Sequence, residues 1–168
     1  GYSSEYGRQS VIGRLSYNFD EKYLLDFNAR YDGTHIFPKG KRFGFFPGVS
    51  VAWRMNKEPF LMSAESIDEL KLRASIGQIG NDAISPYQFL ASYRLNLDRG
   101  YTFGMPGIPS LGAAQNVVPN PNITWEVATI MNAGFDASLW NRALDFSFDV
   151  FKQERNNILT TRDLAVPA

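Results

Sequence analysis

From Ser10 to Phe19 apolar and polar positions alternate with period two. Val11, Leu15, Tyr17 and Phe19 share one face with Gly13, and Arg14, Ser16 and Asn18 share the other with Ile12. Asp20, Glu21 and Lys22 break the pattern with three polar residues. It resumes at Tyr23, where Leu25, Phe27, Ala29 and Tyr31 oppose Asp26, Asn28, Arg30 and Asp32, with Leu24 as the apolar exception. Two alternating runs around a short polar break predict a β-hairpin. Folding it about residues 20–22 opposes Phe19 to Tyr23, Tyr17 to Leu25, Leu15 to Phe27 and Val11 to Tyr31. The other face then pairs Ser16 with Asp26 and Arg14 with Asn28. Each face keeps its character across the pair, as a buried or lipid-facing register demands.

The same period recurs downstream. After a loop with Pro38, Gly40 and Pro47, residues 48–54 put Val49, Val51 and Trp53 opposite Ser50, Ala52 and Arg54. Residues 55–69 read as a longer connection, with a helical turn over 66–70. Leu70, Leu72, Ala74 and Ile76 then alternate with Lys71, Arg73, Ser75 and Gly77. Residues 78–124 are rich in Gly, Pro and Asn and read as a long loop, with Tyr87–Leu95 as a hairpin strand inside it. A last hairpin pairs Ala133, Phe135, Ala137 and Leu139 with Leu144, Phe146, Phe148 and Val150 around Asn141 and Arg142. Its other face carries Asn132, Asp136 and Ser138 against Asp145, Ser147 and Asp149.

Strand length separates a soluble sandwich from a membrane barrel. Sandwich strands average about 5–6 residues, whereas a tilted membrane strand needs about 9–11. Residues 10–19 and 23–32 both meet the longer requirement. Tyr17, Phe19 and Tyr23 cluster at the turn end and Tyr31 closes the far end, a separation of roughly 20 Å in height at a tilt near 40°. That approaches the ~25 Å apolar band between the aromatic girdles of outer-membrane barrels. Charged groups facing lipid are costly, so Arg14, Asp26, Asn28, Arg30, Lys71, Arg73, Asp136, Asp145 and Asp149 are read as facing a wet lumen. Placing the short turns 20–22 and 140–143 on one side puts 55–69 there too, and 33–47 and 78–124 on the other. This gives an all-β antiparallel meander of about six long membrane strands, with 78–124 holding an even number of further strands. Six strands cannot close a barrel, and open edges in lipid leave backbone groups unpaired at several kcal/mol each. The chain, starting at Gly1 without a leader, is therefore read as a piece of something larger.

Composition excludes several classes. The 168 residues carry 17 basic and 17 acidic groups, so no basic surplus exists to track nucleic-acid phosphates. With no Cys and one His, disulfides, thiol nucleophiles and soft-metal sites are ruled out, and no cofactor is expected. Asp145 and Asp149 share a face but stand four residues, roughly 13 Å, apart, beyond the 5–9.5 Å of a glycosidase pair. Asp136 and Asp145 approach diagonally, which reads more simply as a polar lumen wall. Gly77-Gln78-Ile79-Gly80 lacks the Lys and helix of a phosphate loop. His35, near Lys39, Lys41 and Arg42, reads as a solvated loop residue. No enzyme is expected. Seven aromatics placed in outer loops (Phe43, Phe45, Phe46, Tyr87, Tyr93, Tyr101 and Phe103) are candidates for stacking on ligand.

Residues 13–34 (GRLSYNFDEKYLLDFNARYDGT), 42–60 (RFGFFPGVSVAWRMNKEPF), 70–81 (LKLRASIGQIGN) and 120–159 resemble, in order, the SusC/RagA family of TonB-dependent outer-membrane transporters. The resemblance covers residues 9–162. Ile76 stands where the family often has an aromatic, and His35-Ile36-Phe37 departs from its usual polar loop. The resemblance implies that residues 1–168 belong to the carboxy-terminal half of a barrel of about 22 strands. The plug domain and the TonB-contacting segment would then lie outside this chain. It further implies import of glycan or peptide fragments in the outer membrane of a Gram-negative bacterium. The implied partners are the rest of the barrel, its plug, outer-membrane lipid, the TonB complex and a SusD-like surface lipoprotein, with no nucleic acid. A soluble extracellular carbohydrate-binding β-sandwich is the alternative.

Overall fold

A computed structural model describes residues 6–96, 112–117 and 119–159. Its strands are β1 (Arg8–Phe19), β2 (Tyr23–Thr34), β3 (Phe43–Arg54), β4 (Ile67–Asn81), β5 (Ser92–Asn96), β6 (Gly112–Val117), β7 (Glu126–Leu139) and β8 (Leu144–Asn156). Six of them form one antiparallel sheet in the order β1-β2-β3-β4-β7-β8, and β5 with β6 forms a separate hairpin between β4 and β7. A single layer of this kind is a meander, and the described residues contain no second large sheet to make a sandwich.

Both expected hairpin registers hold, from Phe19 opposite Tyr23 to Val11 opposite Tyr31, and from Leu139 opposite Leu144 to Ala133 opposite Val150. The turns are closed by the Lys22 N–H donating to the Phe19 carbonyl at 3.0 Å and the Ala143 N–H to the Trp140 carbonyl at 3.1 Å. Asp20, Glu21, Asn141 and Arg142 all have φ between 53° and 60°. Two successive left-handed residues make the mirror-image turn whose twist suits flanking strands, and Asp and Asn tolerate it best.

The ladder also sets the strand slope. One row runs from Phe19 through Tyr23, Trp53 and Leu72 to Phe135, four residues short of the second turn at Leu139. Four residues of stagger over four strand spacings, at ~3.4 Å and ~4.8 Å respectively, correspond to a tilt of about 35°. Outer-membrane barrels have tilts of about 35–45°.

The strands run longer than the alternating segments, to between 12 and 15 residues each. Phe43, Phe45 and Phe46 thus lie in β3, correcting their placement in a loop. Within β3, residues 43–47 are apolar or small on both faces, so period two disappears while backbone pairing to β2 continues up to Phe43. Residues 66–70 do not form a helical turn. Ile67 and Glu69 pair with Leu139 and Ser138, and Asp68 bulges out between them. The bulge has a use: the Asp68 carboxylate accepts the Arg142 N–H at 3.0 Å and its carbonyl accepts Asn56 Nδ2 at 3.0 Å. The one short helical element of the described residues is the 3-10 turn Met55–Lys57. Within the long connection the strand is Ser92–Asn96, while Tyr87 has φ 64° and starts a turn closed by the Leu90 N–H.

At the turn end, Tyr23 and Trp53 stack with ring centroids 6.3 Å apart. The Tyr23 hydroxyl and the Trp53 indole N–H both donate to Glu58 Oε1, at 2.7 and 3.1 Å. Those two bonds, Tyr23 first, hold the Glu58 carboxyl below its ordinary value, with Lys22 adding a smaller effect.

At the opposite end the loops have their own core. Phe37 is fully buried, and Ile36, Phe46, Ile123 and Trp125 are nearly so. The Trp125 ring meets Phe37 at 5.4 Å and Phe46 at 5.3 Å, and its indole N–H donates to the Arg42 carbonyl at 3.2 Å. Phe46 reaches this core because Gly80 has no side chain, since a Cβ there would overlap its ring.

Candidate functional site

The six-stranded sheet has two chemically distinct faces. One carries Leu15, Phe27, Val51, Phe146 and Phe148, all exposed and, among the described residues, covered by no other layer. The other is polar through its centre, where one ladder row reads Ser16, Asp26, Ser50, Ser75 and Asn132. Arg14, Asp26, Asn28, Arg30, Lys71, Arg73, Asp136, Asp145 and Asp149 all fall on this polar face by register.

Its charges are organised into two groups. Across β1 and β2, Arg14 grips Asp26 through Nε at 2.8 Å and Nη2 at 2.7 Å, and Ser16 Oγ donates to the same carboxylate at 2.6 Å. Arg30 pairs with Asp32 at 3.0 Å further up the strand. Across β4, β7 and β8, Arg73 makes a two-pronged bond to Asp136, 3.1 Å on each arm, and reaches Asp149 at 2.7 Å. Ser147 Oγ donates to Asp136 at 2.8 Å, and Lys71 lies 4.0 Å from it. A planar guanidinium suits this fork as a point-like ammonium does not. Gly134 makes the long link possible: a Cβ there would strike the Asp149 carboxylate and the Phe148 carbonyl. Between the groups lies an open cleft of ≈ 540 Å³ whose lining includes Arg14, Asp26, Lys71, Arg73, Ser75 and Asn132.

Arg73→Leu is expected to lower the stability of the folded sheet. It leaves two carboxylates without their shared cation, but roughly a third of each side chain still reaches water. Adding Asp136→Asn should recover part of the loss. The thermal-unfolding midpoint of the folded protein reads both, and an unchanged midpoint would show the network to be dispensable.

Among the described residues no three His, Cys, Asp or Glu side chains are grouped to hold a metal. The carboxylates of Asp26, Asp136 and Asp149 are each bonded to an arginine, as in a hydrated wall. Of the aromatics read as ligand contacts, Phe43 and Phe45 share the apolar face with Tyr31, and Tyr31 stacks on Phe43 at 5.2 Å. Phe46 is buried in the loop core. Tyr87 and Tyr93 are exposed, and Tyr101 and Phe103 lie outside the described residues.

His35 is not a solvated loop residue. It packs edge-on to Tyr6 at 5.7 Å and Tyr87 at 6.2 Å, with Nδ1 3.1 Å from both the Gly7 N–H and carbonyl. The loop core of Phe37, Phe46 and Trp125 was missed by pattern reading. Its signals were small residues at 44 and 80 and a lone Trp in a polar segment, none of which has a period.

Comparison with known proteins agrees with this architecture. The family described as TonB dependent receptor-like, beta-barrel, matches residues 1–168. TonB-dependent receptor P3 of Formosa agariphila is 34% identical over 97% of this chain, and TonB-dependent receptor SusC of Bacteroides thetaiotaomicron is 30% identical over 94%. The chain spans only 16% of the length of each of these relatives. Among solved structures, the RagAB peptide importer in its closed-closed and open-open states superposes with TM-score 0.77 at 26% identity, over 91% of this chain and 16% of that one. A tilted antiparallel meander with one apolar and one charged face, matched along its whole length by that family, shows that this chain belongs to the β-barrel of the TonB-dependent receptors, among the relatives of SusC and RagA.

Proposed function

We propose that the chain is a stretch of barrel wall in an outer-membrane importer energised through TonB. In this reading the apolar face meets lipid and the polar face lines the lumen beside the plug. The turns 20–22 and 140–143 face the periplasm with the 55–66 connection, and the loop core of Phe37 and Trp125 faces the outside. The observation that carries it is the segregation of the two faces over strands of 12–15 residues, in a sheet that superposes on the RagAB peptide importer. Plug and TonB-contacting segment belong to the remainder of the full-length protein. The cargo is a glycan or peptide fragment, captured with a SusD-like lipoprotein, and Tyr87 and Tyr93 are the exposed aromatics best placed to stack on it.

The test is growth of a receptor-deletion strain on single glycans or peptides as sole carbon source. Loss of growth on one class, restored by the intact receptor only when TonB is present, supports import. Restoration in a TonB-deficient background would sink it.

A further inference from the structure

The connection between β3 and β4 is not an aqueous tether. It is folded back by consecutive turns, with the Leu61 and Met62 N–H groups donating to the Glu58 carbonyl and the Ala64 N–H to the Leu61 carbonyl, each at 3.0 Å. Its position is set by Glu58, whose carboxylate takes hydrogen bonds from Tyr23 and Trp53. Both rings stand on the apolar face, in register with each other and in the same row as Phe19 and Leu72. Glu58 therefore anchors the connection on the outer side of the wall, at the level of the aromatic girdle. From that anchor the chain presents Phe60 and Met62, 62% and 71% exposed, within four residues. Two large apolar side chains left in water beside a lipid-facing girdle are poorly placed unless the lipid surface extends to them.

We propose that residues 58–64 form a foot that dips Phe60 and Met62 into the bilayer at its turn-side surface, with phospholipid as the occupant. The argument for lipid is continuity: the foot is hydrogen-bonded to the girdle residues and prolongs the same apolar face. The polar Ser63 and Glu65 beside Phe60 and Met62 are also exposed. Glu58 is a positioning residue here, since its two bonds decide where the foot lies. The proposal rests on the membrane reading of the sheet.

The chain has no Cys, so a spin label at Met62→Cys is unique within it once cysteines elsewhere in the full-length receptor are replaced by Ser. Labels are also placed at Glu65→Cys and Phe148→Cys, and the receptor is reconstituted in phosphatidylethanolamine/phosphatidylglycerol vesicles. Collision with dissolved oxygen is compared with collision with a water-soluble nickel chelate. The expected result is an oxygen-to-nickel ratio at position 62 severalfold above that at position 65 and close to that at 148, falling when Glu58→Ala is added. A ratio at 62 equal to that at 65, with 148 reading lipid, would overturn the foot alone. An aqueous reading at 148 would overturn the membrane reading itself and the foot with it. Phe60→Cys repeats the measurement should Met62→Cys fail to assemble.

Discussion

Trp125→Ala in the full-length receptor is expected to loosen the loops packed around it, proposed to face outward, without unfolding the barrel. The Trp125 ring is the shared neighbour of Phe37 and Phe46, and its indole N–H ties down the Arg42 carbonyl. Removing a buried Trp costs about 3–5 kcal/mol when the site cannot collapse. Here Phe37 and Phe46 arrive from opposite ends of the 37–46 segment, so collapse requires the loop to move. Local stability of that size separates a closed loop from one that opens freely. The loop carries Lys39, Lys41 and Arg42, and Lys41 reaches Asn122 at 3.2 Å in the packed form. Trypsin applied to whole cells should therefore cut the variant much faster after these residues, while the heat-modifiable mobility of the barrel stays the same. Trp125→Phe keeps most of the ring contact and loses one hydrogen bond, a cost of about 1 kcal/mol, and should fall between. Equal cleavage of wild type and Trp125→Ala would mean the aromatic core does not hold the loop.

A pair of neighbouring substitutions tests the faces. Val49 stands between Phe27 and Ile76 on the apolar face, and Ser50 between Asp26 and Ser75 on the polar one. On the face proposed to meet lipid, Val49→Arg is expected to cost about 2–4 kcal/mol. On the face proposed to line the lumen, Ser50→Arg meets Asp26 and should change stability by about 0.5 kcal/mol or less. Denaturant unfolding of the receptor in vesicles measures both. Similar costs at the two positions would contradict the assignment of lipid to one side and water to the other.

How much of this was legible follows from where period two holds. Between Val11 and Phe19 and between Tyr23 and Tyr31, one environment lies on each side of the sheet, so the residues other than Ile12 and Leu24 state their side and a one-residue slip is excluded. The pairing of Leu15 with Phe27, and of Phe135 with Phe148, was readable for that reason. Residues 43–47 were read as loop because Phe43, Phe45 and Phe46 are all aromatic while facing different environments. Their composition says nothing about which ring is covered.

The candidate site divides along the same line. That Arg14, Asp26, Arg73, Asp136 and Asp149 share a face is a matter of parity, and parity is local. That Arg73 bridges β7 to reach Asp149 depends on Gly134, sixty-one positions away, having no side chain to block it. The helical turn expected at 66–70 failed similarly, because pairing with β7 at Leu139 and Ser138 outweighed a weak local preference.

The residues alone thus specify the alternating parts of the six long strands, both hairpin registers, the two faces and the family, since each of these rests on alternation or on contiguous wording along the chain. Contacts between distant segments settled the rest: the loop core around Trp125, the bulge at Asp68, the placement of His35 between Tyr6 and Tyr87, and the seat of Glu58 on the girdle. Those depend on which far-off backbone passes close enough to touch, and alternation within a segment carries no record of it.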